Sequence, residues 1–521
     1  MNKFKLFPLA LAAFAFSACT SEDAVENNPN VEGVKSYVAV NINNVGAGGT
    51  RADAEYENGT AAESKINTIR FYFFTSEGKP YKMTDGTNFK EIVNPAGTDQ
   101  ANGGNVEHIT NATIVIKGEN MTYPESMMAV INPETLEDGV LTKFMHRDDV
   151  KAALAKQNFN GQRGTAADFV MTSSVYADED NKMVWTSDIS GHVAKSESAA
   201  LNNPVDIYVE RVAAKITSTA QYDNTNKFYV GETATGTPVY AMIEGWGIAS
   251  ENTSANLIKK ISTTWTALDL GFNWNDFNNR RSFWETTPES ALGAYKSYDE
   301  YTKTKIGDVY YTLPNTNSAE TTRPIYVAAA KLVDVDGNTL EIAKYKGVQY
   351  LSETDVKNAI LKENIKYYKD AVNADGVAGH DLISAADLKF VVNPEHPSQV
   401  KAQLVDGVQV YKKAGDSYVD ATAEANGKFG AEYAVIHKEG MTYYWTSVTH
   451  LGGADKTGHF GMVRNHFYKV DVTKITGFGT AVYDKENEFK PEPPIKDEET
   501  YLAARINVLS WRVVNQSVEL K

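Results

Sequence analysis

The stretch LAARINVLSWRVVNQSVELK, residues 502–521, contains two runs of alternating apolar and polar residues with Trp511 between them. The residues that share one face within each run are Ile506 and Val508 in the first, and Val514, Val518 and Leu520 in the second. Such alternation predicts two half-buried β-strands. We expect the last strand to pair with a neighbouring subunit, so the rest of the chain is searched for the surface that receives it.

Composition favours a folded, β-rich protein. Of the 521 residues, 42% are hydrophobic and 23% are charged, and the 28 tyrosines favour strands. The net charge of -16 argues against a nucleic-acid surface, because phosphate binding requires clustered Lys and Arg. We therefore predict no nucleic-acid partner.

The N-terminus has the pattern of an export signal. Lys3 and Lys5 precede an apolar run over residues 6–16, which is too short to span a bilayer as a stable helix. The chain's one cysteine, Cys19, follows two small residues, as in a bacterial lipobox, and an acidic Ser-Glu-Asp follows it. We predict lipidation at Cys19 and an outer-membrane lipoprotein precursor. The alternative is an ordinary signal peptide with an accidental cysteine.

A clean strand pattern lies shortly after the signal. In SYVAVNIN, residues 36–43, the side chains of Val38, Val40 and Ile42 share one face. The strand leads into a glycine-rich segment that contains the Arg51-Ala52 bond. Exposed glycine-rich backbone suits proteolytic cleavage, and an arginine-specific protease would cut after Arg51. The alternative is a plain glycine loop with a solvated arginine.

Strands dominate the remainder of the chain. A short helix is expected over residues 148–157 and another after Ser352, and a single strand is expected over residues 206–217. An extended proline-containing arm over residues 484–500 precedes the last two strands. The predicted parts are a signal peptide (1–18), a propeptide with its strand (19–51), an N-terminal β-sandwich (52–205), a C-terminal β-sandwich (206–483) and the arm with donor strands (484–521).

Catalytic and metal-binding motifs are missing from the sequence. It contains no G-x-S-x-G or H-E-x-x-H, so no catalytic residue, metal or cofactor is predicted. Arg464-Asn465-His466 is the densest polar cluster, and we interpret it as structural. The acidic turns at residues 178–181 and 334–338 are interpreted as solvated turns rather than calcium sites. The tryptophans that could form a sugar platform, although core packing is their usual role, are Trp246, Trp265, Trp274, Trp284 and Trp445.

Several segments together resemble the fimbrillin family of Bacteroidetes. The ending INVLSWRVVNQSVEL (506–520) is similar to that of the minor-fimbrium (Mfa-type) shaft subunit. The other similar segments are IRFYFF (69–74), AVINP (129–133), VERVAAKI (209–216), LPNTN (313–317) and GMVRNHFYKVDVTKITGFG (461–479). The resemblance covers nearly the whole chain. It implies two transthyretin-like β-sandwich domains.

The resemblance also implies an assembly route. The chain would be exported as a surface lipoprotein and cut between Arg51 and Ala52 by an arginine-specific protease. That cut would remove the strand with Val38, Val40 and Ile42, and the C-terminal strand of the next copy would fill the open groove. The expected partners are other copies of the chain, accessory, anchor and tip subunits, and host or bacterial surface ligands.

Three functions are compared on this basis. The first is a polymerising shaft subunit of a fimbrium that supports adhesion and biofilm formation. The second is a tip or accessory adhesin, which would often carry an added binding domain, and we expect no such addition here. The third is a surface glycan-binding lipoprotein that uses the tryptophans. An enzyme is the least favoured class.

Overall fold

The protein is mainly β, which confirms the predicted fold class. The computed structural model describes residues 34–44, 59–99, 108–119, 122–155, 168–174, 176–177, 183–260, 285–288, 292–372, 378–450, 459–489, 501–509 and 513–515. None of the helices within these ranges is long and apolar enough to cross a membrane.

Nine strands form the first sheet. They are β1 (Val34–Asn44), β2 (Thr68–Phe74), β3 (Phe89–Val93), β4 (Gly97–Asp99), β5 (His108–Gly118), β6 (Ser126–Ile131), β8 (Met171–Ser173), β11 (Ser187–Asp188) and β12 (Val205–Arg211). Their spatial order is β3-β2-β6-β8-β12-β1-β5-β4, with β11 beside β6. Strand β3, near one end of this order, contacts β5, near the other. The sheet therefore curls around its own hydrophobic core.

Two five-stranded sheets form a sandwich in the second half of the chain. One sheet has the order β17-β13-β29-β31-β32 and the other β14-β15-β18-β28-β30. Trp246 and Tyr326 from one sheet and Tyr468 from the other belong to one buried cluster. The strands are β13 (Ala214–Ala220), β14 (Phe228–Glu232), β15 (Pro238–Ala249), β17 (Val309–Thr312), β18 (Ile325–Val333), β28 (Met441–Ser447), β29 (Phe467–Thr476), β30 (Thr480–Ala481), β31 (Tyr501–Leu509) and β32 (Val513–Asn515).

A separate unit lies between β18 and β28. It holds the sheets β20-β19-β27-β24-β23 and β22-β21-β25-β26 and has its own buried cluster. The strands are β19 (Ile342–Tyr345), β20 (Val348–Tyr350), β21 (Tyr368–Val372), β22 (Ala378–Leu382), β23 (Leu388–Val392), β24 (Val400–Leu404), β25 (Tyr411–Ala414), β26 (Ser417–Asp420) and β27 (Tyr433–His437), with helices α4 (Glu353–Glu363) and α5 (Thr422–Phe429). The expectation that nothing is added to the second domain was wrong.

Short elements complete the described chain. The helices are α1 (Arg147–Ala152), α2 (Glu197–Leu201) and α3 (Tyr298–Tyr301). Two small strand pairs join β7 (Leu154–Ala155) to β16 (Ala255–Asn256), and β9 (Tyr176–Ala177) to β10 (Met183–Val184).

Two expected helices have different outcomes. The helix expected over residues 148–157 ends at Ala152, because Ala153 has an extended backbone and strand β7 begins at Leu154. The helix start at Ser352 is confirmed, since its hydroxyl accepts the amide hydrogen of Asp355 at 3.1 Å and thereby caps α4.

The single strand expected over residues 206–217 is two strands. β12 ends at Arg211 in the first sheet and β13 begins at Ala214 in the second sandwich. Between them, the amide of Val212 donates to the carbonyl of Val170 at 3.0 Å. Apolar residues alternate at Ile207 and Val209 before this point and at Ala214 and Ile216 after it, so the alternation changes phase where the chain changes sheets.

Candidate functional site: the strand β1 and the C-terminal strands

Strand β1 lies in the interior of the first sheet, with hydrogen-bonded neighbours on both edges. On one edge it pairs antiparallel with β5 along its whole length. On the other edge, Val40–Asn44 pair parallel with Val205–Val209 of β12. Farther back on β1, the amide and carbonyl of Tyr37 exchange hydrogen bonds with Ala194, at 2.8 and 2.9 Å.

The middle of β1 is buried on both faces. Val38, Ala39 and Val40 are 0%, 2% and 1% exposed. Val38 and Val40 belong to the core of the first sheet. Ala39 points to the opposite face, because neighbouring side chains of a strand alternate. Helix α2, with its buried Ala200, packs against β1. Strand β1 thus packs on the hydrophobic core with one face and is covered on the other face, and we call this cover the roof.

Strand β1 lies between β5 and β12, so its removal would leave a gap between these two strands. The edge of β5 that faces it would lose its partners if β1 left. The opposite wall, β12, pairs with its other neighbour, β8, only through Val209–Arg211. Backbone groups exposed along such an edge are a ready template for another strand.

Buried ion pairs hold β12 in place. Glu210 lies 3.1 Å from Lys259, and both side chains are fully buried. The next residue, Arg211, donates from Nε to the carbonyl of Glu63 at 2.9 Å and from a terminal nitrogen to Ser64 Oγ at 3.0 Å. These contacts fix the end of β12 through side chains, independently of β1.

Glu63 is the centre of the second ion-pair cluster. Its carboxylate lies 2.9 Å from Lys215 Nζ and accepts a hydrogen bond from the hydroxyl of Tyr311. Burial alone would raise the pKa of Glu63, but the cations of Lys215 and Arg211 together with the hydrogen bonds bring the pKa below its ordinary value. The segment that follows the predicted cleavage point is therefore held by its charge at the junction between β12 and β13.

The C-terminal strands pair with the same chain's second sandwich. Strand β31 runs antiparallel to β29, from Phe467 opposite Leu509 to Thr476 opposite Tyr501. Strand β32 pairs only with β31 within the described part of the chain, through three residue pairs. Strands β31 and β32 therefore form one edge of their sheet. Among the described strand pairs of this sheet, their joint departure would break only the pairing of β31 with β29.

The arm that leads to these strands is fixed at Phe489. Its side chain is 2% exposed, and its ring centroid lies 4.7 Å from that of Tyr443 and 6.3 Å from that of Tyr301. Its amide also donates to the carbonyl of Lys296 at 2.8 Å. The residues that can move as a donor therefore start after Phe489.

The predicted site residues fall into two groups. Val38 and Val40 lie where the strand prediction places them, and the backbones of Ile42 and Val514 lie in β1 and β32. The residues that lie outside the described ranges are Cys19, Arg51, Ala52, Val518 and Leu520. Lipidation, cleavage and donation at these positions stay predictions.

The polar cluster Arg464-Asn465-His466 has structural partners. Arg464 is fully buried and forms an ion pair with Glu285 at 2.7 Å. It also donates to the carbonyl of Leu257 at 3.0 Å, and His466 Nδ1 lies 2.7 Å from the carbonyl of Arg464. These contacts tie the loop before β29 to the segment after β16, as a structural cluster would.

The candidate calcium turn over residues 334–338 satisfies its own carboxylate. Asp334 accepts from the amides of Asp336 and Asn338 at 2.9 and 2.8 Å, and from the Asn338 side chain at 2.8 Å. Residues 178–181 lie outside the described ranges. The strands on either side of them, β9 and β10, pair with each other. Within the described residues, no group of three or more His, Cys, Asp or Glu is placed to hold a metal ion.

The tryptophans do not form a common surface among the described residues. Trp246 is fully buried in the second sandwich, and Trp445 packs half-buried beside another cluster. Trp265, Trp274 and Trp284 lie outside the described ranges.

Sequence reasoning missed the roof over β1 and the buried ion pairs beside it. The roof had one available signal, which is the small Ala39 between two valines. The ion pairs had no signal in the sequence. Only the fold brings Glu63 to Lys215 and Glu210 to Lys259.

Residues 436–517 match the family described as major fimbrial subunit protein type IV, fimbrillin, C-terminal. Over these residues the chain is similar to the C-terminal part of fimbrillins. The matched region includes β29, β31 and β32, the strands around which the C-terminal part of the site is built. This confirms the resemblance noted in the sequence.

The solved structures that match the chain include adhesion and fimbrial proteins. A fimbrilin from Porphyromonas gingivalis matches with 15% identity and a TM-score of 0.39, covering 92% of this chain and 98% of that one. A putative cell adhesion protein from Parabacteroides distasonis matches with 14% identity and a TM-score of 0.37, covering 92% and 98%. The tip fimbrial protein of Porphyromonas gingivalis, solved with a C-terminal truncation, matches with 8% identity and a TM-score of 0.31, covering 92% and 100%. No curated protein matches.

The family that residues 436–517 match is described as a major fimbrial subunit, so the likeness points to a fimbrial role. The match to a fimbrial-subunit family agrees with the prediction that this chain is not an enzyme.

Proposed function

We propose that this protein is the polymerising shaft subunit of a fimbrium. It is exported as a lipoprotein through Cys19, cut after Arg51, and joined head-to-tail by donor-strand exchange. The observation that carries the proposal is the position of β1. This strand precedes the cleavage point in sequence, yet it is hydrogen-bonded on both edges inside the first sheet.

The energetics support cleavage as the switch. Fully burying a valine contributes about 1.5–3 kcal/mol, and each backbone hydrogen bond adds about 1 kcal/mol. Val38 and Val40 are buried and β1 pairs on both sides, so the tethered strand outcompetes a donor from another chain. Once the bond after Arg51 is cut, β1 is no longer joined to the sheet that it occupies, so it loses this advantage over a donor strand.

The C-terminal strands supply the donor. They occupy an edge of the second sandwich and follow an arm that is anchored at Phe489. One copy thus has a groove in its first sheet and a strand at its other end. An interface between two different surfaces that does not close on itself produces a filament.

N-terminal sequencing of the protein in purified fibres tests the processing step. The proposal predicts that the sequence begins at Ala52. Fibres whose protein begins at Cys19, or anywhere before Ser36, would retain β1 and contradict the proposal.

A tip or accessory adhesin is the second candidate, and the inserted unit over residues 342–437 favours it. The four-stranded sheet β22-β21-β25-β26 of this unit carries neighbouring rings of Tyr368, His380, Tyr411 and Tyr418. All four are partly exposed. Immunogold labelling distinguishes the two candidates, because a shaft subunit is labelled along the whole fibre and a tip adhesin only at its end.

A further inference from the structure

The first C-terminal strand repeats the sequence of β1. This point rests on the proposed function, in which a C-terminal strand replaces β1. Residues 37–43 read Tyr-Val-Ala-Val-Asn-Ile-Asn and residues 501–507 read Tyr-Leu-Ala-Ala-Arg-Ile-Asn. Four of the seven positions are identical, namely Tyr37 and Tyr501, Ala39 and Ala503, Ile42 and Ile506, and Asn43 and Asn507.

The burial of β1 sets strict requirements at three consecutive positions. Val38 and Val40 are buried against the core, Ala39 is buried on the opposite face, and α2 contacts β1. A replacement strand must therefore place three side chains without charge or amide groups at these positions, because an unpaired buried polar group is costly. The middle one must also be small.

The last strand does not meet these requirements in any register. Every set of three consecutive residues within Val513–Lys521 includes Asn515, Gln516 or Glu519. For example, placing Val518 and Leu520 at the positions of Val38 and Val40 puts Glu519 at the buried position of Ala39. Placing Val518 at the position of Val40, in the direction of β1, puts Gln516 into the core position of Val38.

The first C-terminal strand meets all three requirements. Leu502, Ala503 and Ala504 are apolar, and the small Ala503 falls at the position of Ala39. In the direction of β1, this register also superposes Ile506 on Ile42 and Asn507 on Asn43. The reverse direction satisfies the three central positions but loses these outer identities, so the sequence favours the same direction as β1.

We infer that residues 501–507 of one copy occupy the place of residues 37–43 in the next copy, in the same direction and register. Strand β31 would then run antiparallel to β5 and parallel to β12. Ala504 would lie opposite Ala112, as Val40 does, and Asn507 would lie opposite Ile109 and Tyr208, as Asn43 does. Val514, Val518 and Leu520 would lie outside the central positions of the groove.

This assignment requires β31 to leave its own second sandwich. There it pairs with β29 on one side, and on its other side β32 is the last described strand of the sheet. The chain before it is fixed at Phe489, and residues 490–500 contain three prolines. Eleven residues span up to about 36 Å when fully extended, so β31 can reach a groove beside its own domain without moving the anchor.

Disulfide trapping in assembled fibres tests the register. The only cysteine of the chain, Cys19, precedes the cleavage point, so the mature protein offers no other thiol. Four double variants are made in the full chain. Each combines the substitution Ala112→Cys with a second cysteine substitution on the C-terminal strands. The second substitutions are Ala504→Cys, Val514→Cys, Val518→Cys and Leu520→Cys.

A ladder of reducible oligomers is expected on a non-reducing gel for Ala504→Cys alone, since cross-strand neighbours have the spacing that a disulfide needs. A ladder with Val514→Cys, Val518→Cys or Leu520→Cys in its place would overturn this inference and leave donor-strand exchange intact. Fibres that form with all four variants and give no ladder would contradict the inference and the proposed function together.

A matched pair of charge substitutions provides a second readout. Ala503→Glu is expected to abolish polymer, because it places a carboxylate at the buried position of Ala39. Ser517→Glu on the last strand is expected to leave polymer at the level of the unmodified chain. Both precursors are first compared by circular dichroism to establish that they fold. Normal polymer from folded Ala503→Glu would overturn the inference.

Discussion

The Oε2 atom of Glu210 lies 3.1 Å from the Nζ atom of Lys259, and neither side chain is exposed to solvent. Glu210 belongs to β12, the strand that forms one wall around β1. Two charges are costly to bury, so such a pair contributes to the positioning of the groups that carry it more than to net stability. In the proposed exchange, the pair would hold β12 in place while the neighbouring β1 leaves.

Breaking this pair should destabilise the protein strongly. Lys259→Met leaves Glu210 buried and unpaired, and we expect a loss of about 3–5 kcal/mol in the free energy of unfolding. Adding Glu210→Leu should restore most of the loss, because two apolar side chains replace the ion pair. Denaturant unfolding of the precursor measures both. As a control, Lys79→Met removes an exposed pair with Glu77 and should leave the free energy of unfolding nearly unchanged. An equally small effect of Lys259→Met would show that the buried pair does not hold β12.

Enlarging Ala39 should affect the precursor and not the fibre. Ala39→Leu overfills the space between β1 and α2, and we expect it to cost the precursor about 1–3 kcal/mol. The proposed mature protein lacks β1, so fibres made from this variant should melt at the same temperature as unmodified fibres. Val115→Leu, at a 41% exposed position on the neighbouring β5, is the matched control. Fibres weakened by Ala39→Leu would indicate that β1 remains in the assembled protein.

The Glu63 cluster should make stability depend on acidic pH. The pKa of Glu63 is lower in the folded protein than its ordinary value of 4.5, because Lys215 and Arg211 overcome the effect of burial. A depressed folded pKa gives stability that is fully present above the unfolded pKa and is lost as pH falls through the folded pKa. Glu63→Gln should therefore flatten the fall in melting temperature below about pH 4.5. The same acid dependence in the variant and the parent would contradict the assigned role of Glu63.

Replacing the cleavage arginine should stop assembly. Arg51→Ala should leave a monomeric lipoprotein on the cell surface, since the tethered β1 keeps its place in the first sheet. Thr50→Ala, one residue earlier, keeps the arginine and should assemble normally. Immunoblots of surface protein, run without boiling, report the result. Normal polymer ladders from Arg51→Ala would contradict cleavage at this bond as the switch.

Local sequence pattern predicted the strands that matter most for the site. The alternation in residues 36–43 predicted β1, and the alternation near the C-terminus predicted β31 and β32. Alternation identifies one buried face, and it therefore nominated Val514, Val518 and Leu520 as donor residues. It did not reveal that the middle of β1 is buried on both faces, because the roof over Ala39 comes from α2, more than 150 residues away in sequence.

Contacts between distant parts of the chain explain the other differences. Only the short apolar run over residues 212–214 separates β12 from β13 in the sequence, so the two strands were predicted as one although the chain moves from one sheet to another. The unit over residues 342–437 has ordinary strand and helix patterns, and only the separate core distinguishes it from the sandwich that surrounds it.

Mixing two one-sided copies tests the exchange between groove and strand most directly. The first copy ends at Phe489 and is cut after Arg51 by an arginine-specific protease once it has folded, so it can only accept. The second copy carries Arg51→Ala and is left uncut, so it can only donate. Each should be monomeric alone by size-exclusion chromatography with light scattering, and their mixture should give a one-to-one complex and nothing larger. A mixture that stays monomeric, or a first copy that polymerises alone, would contradict the account.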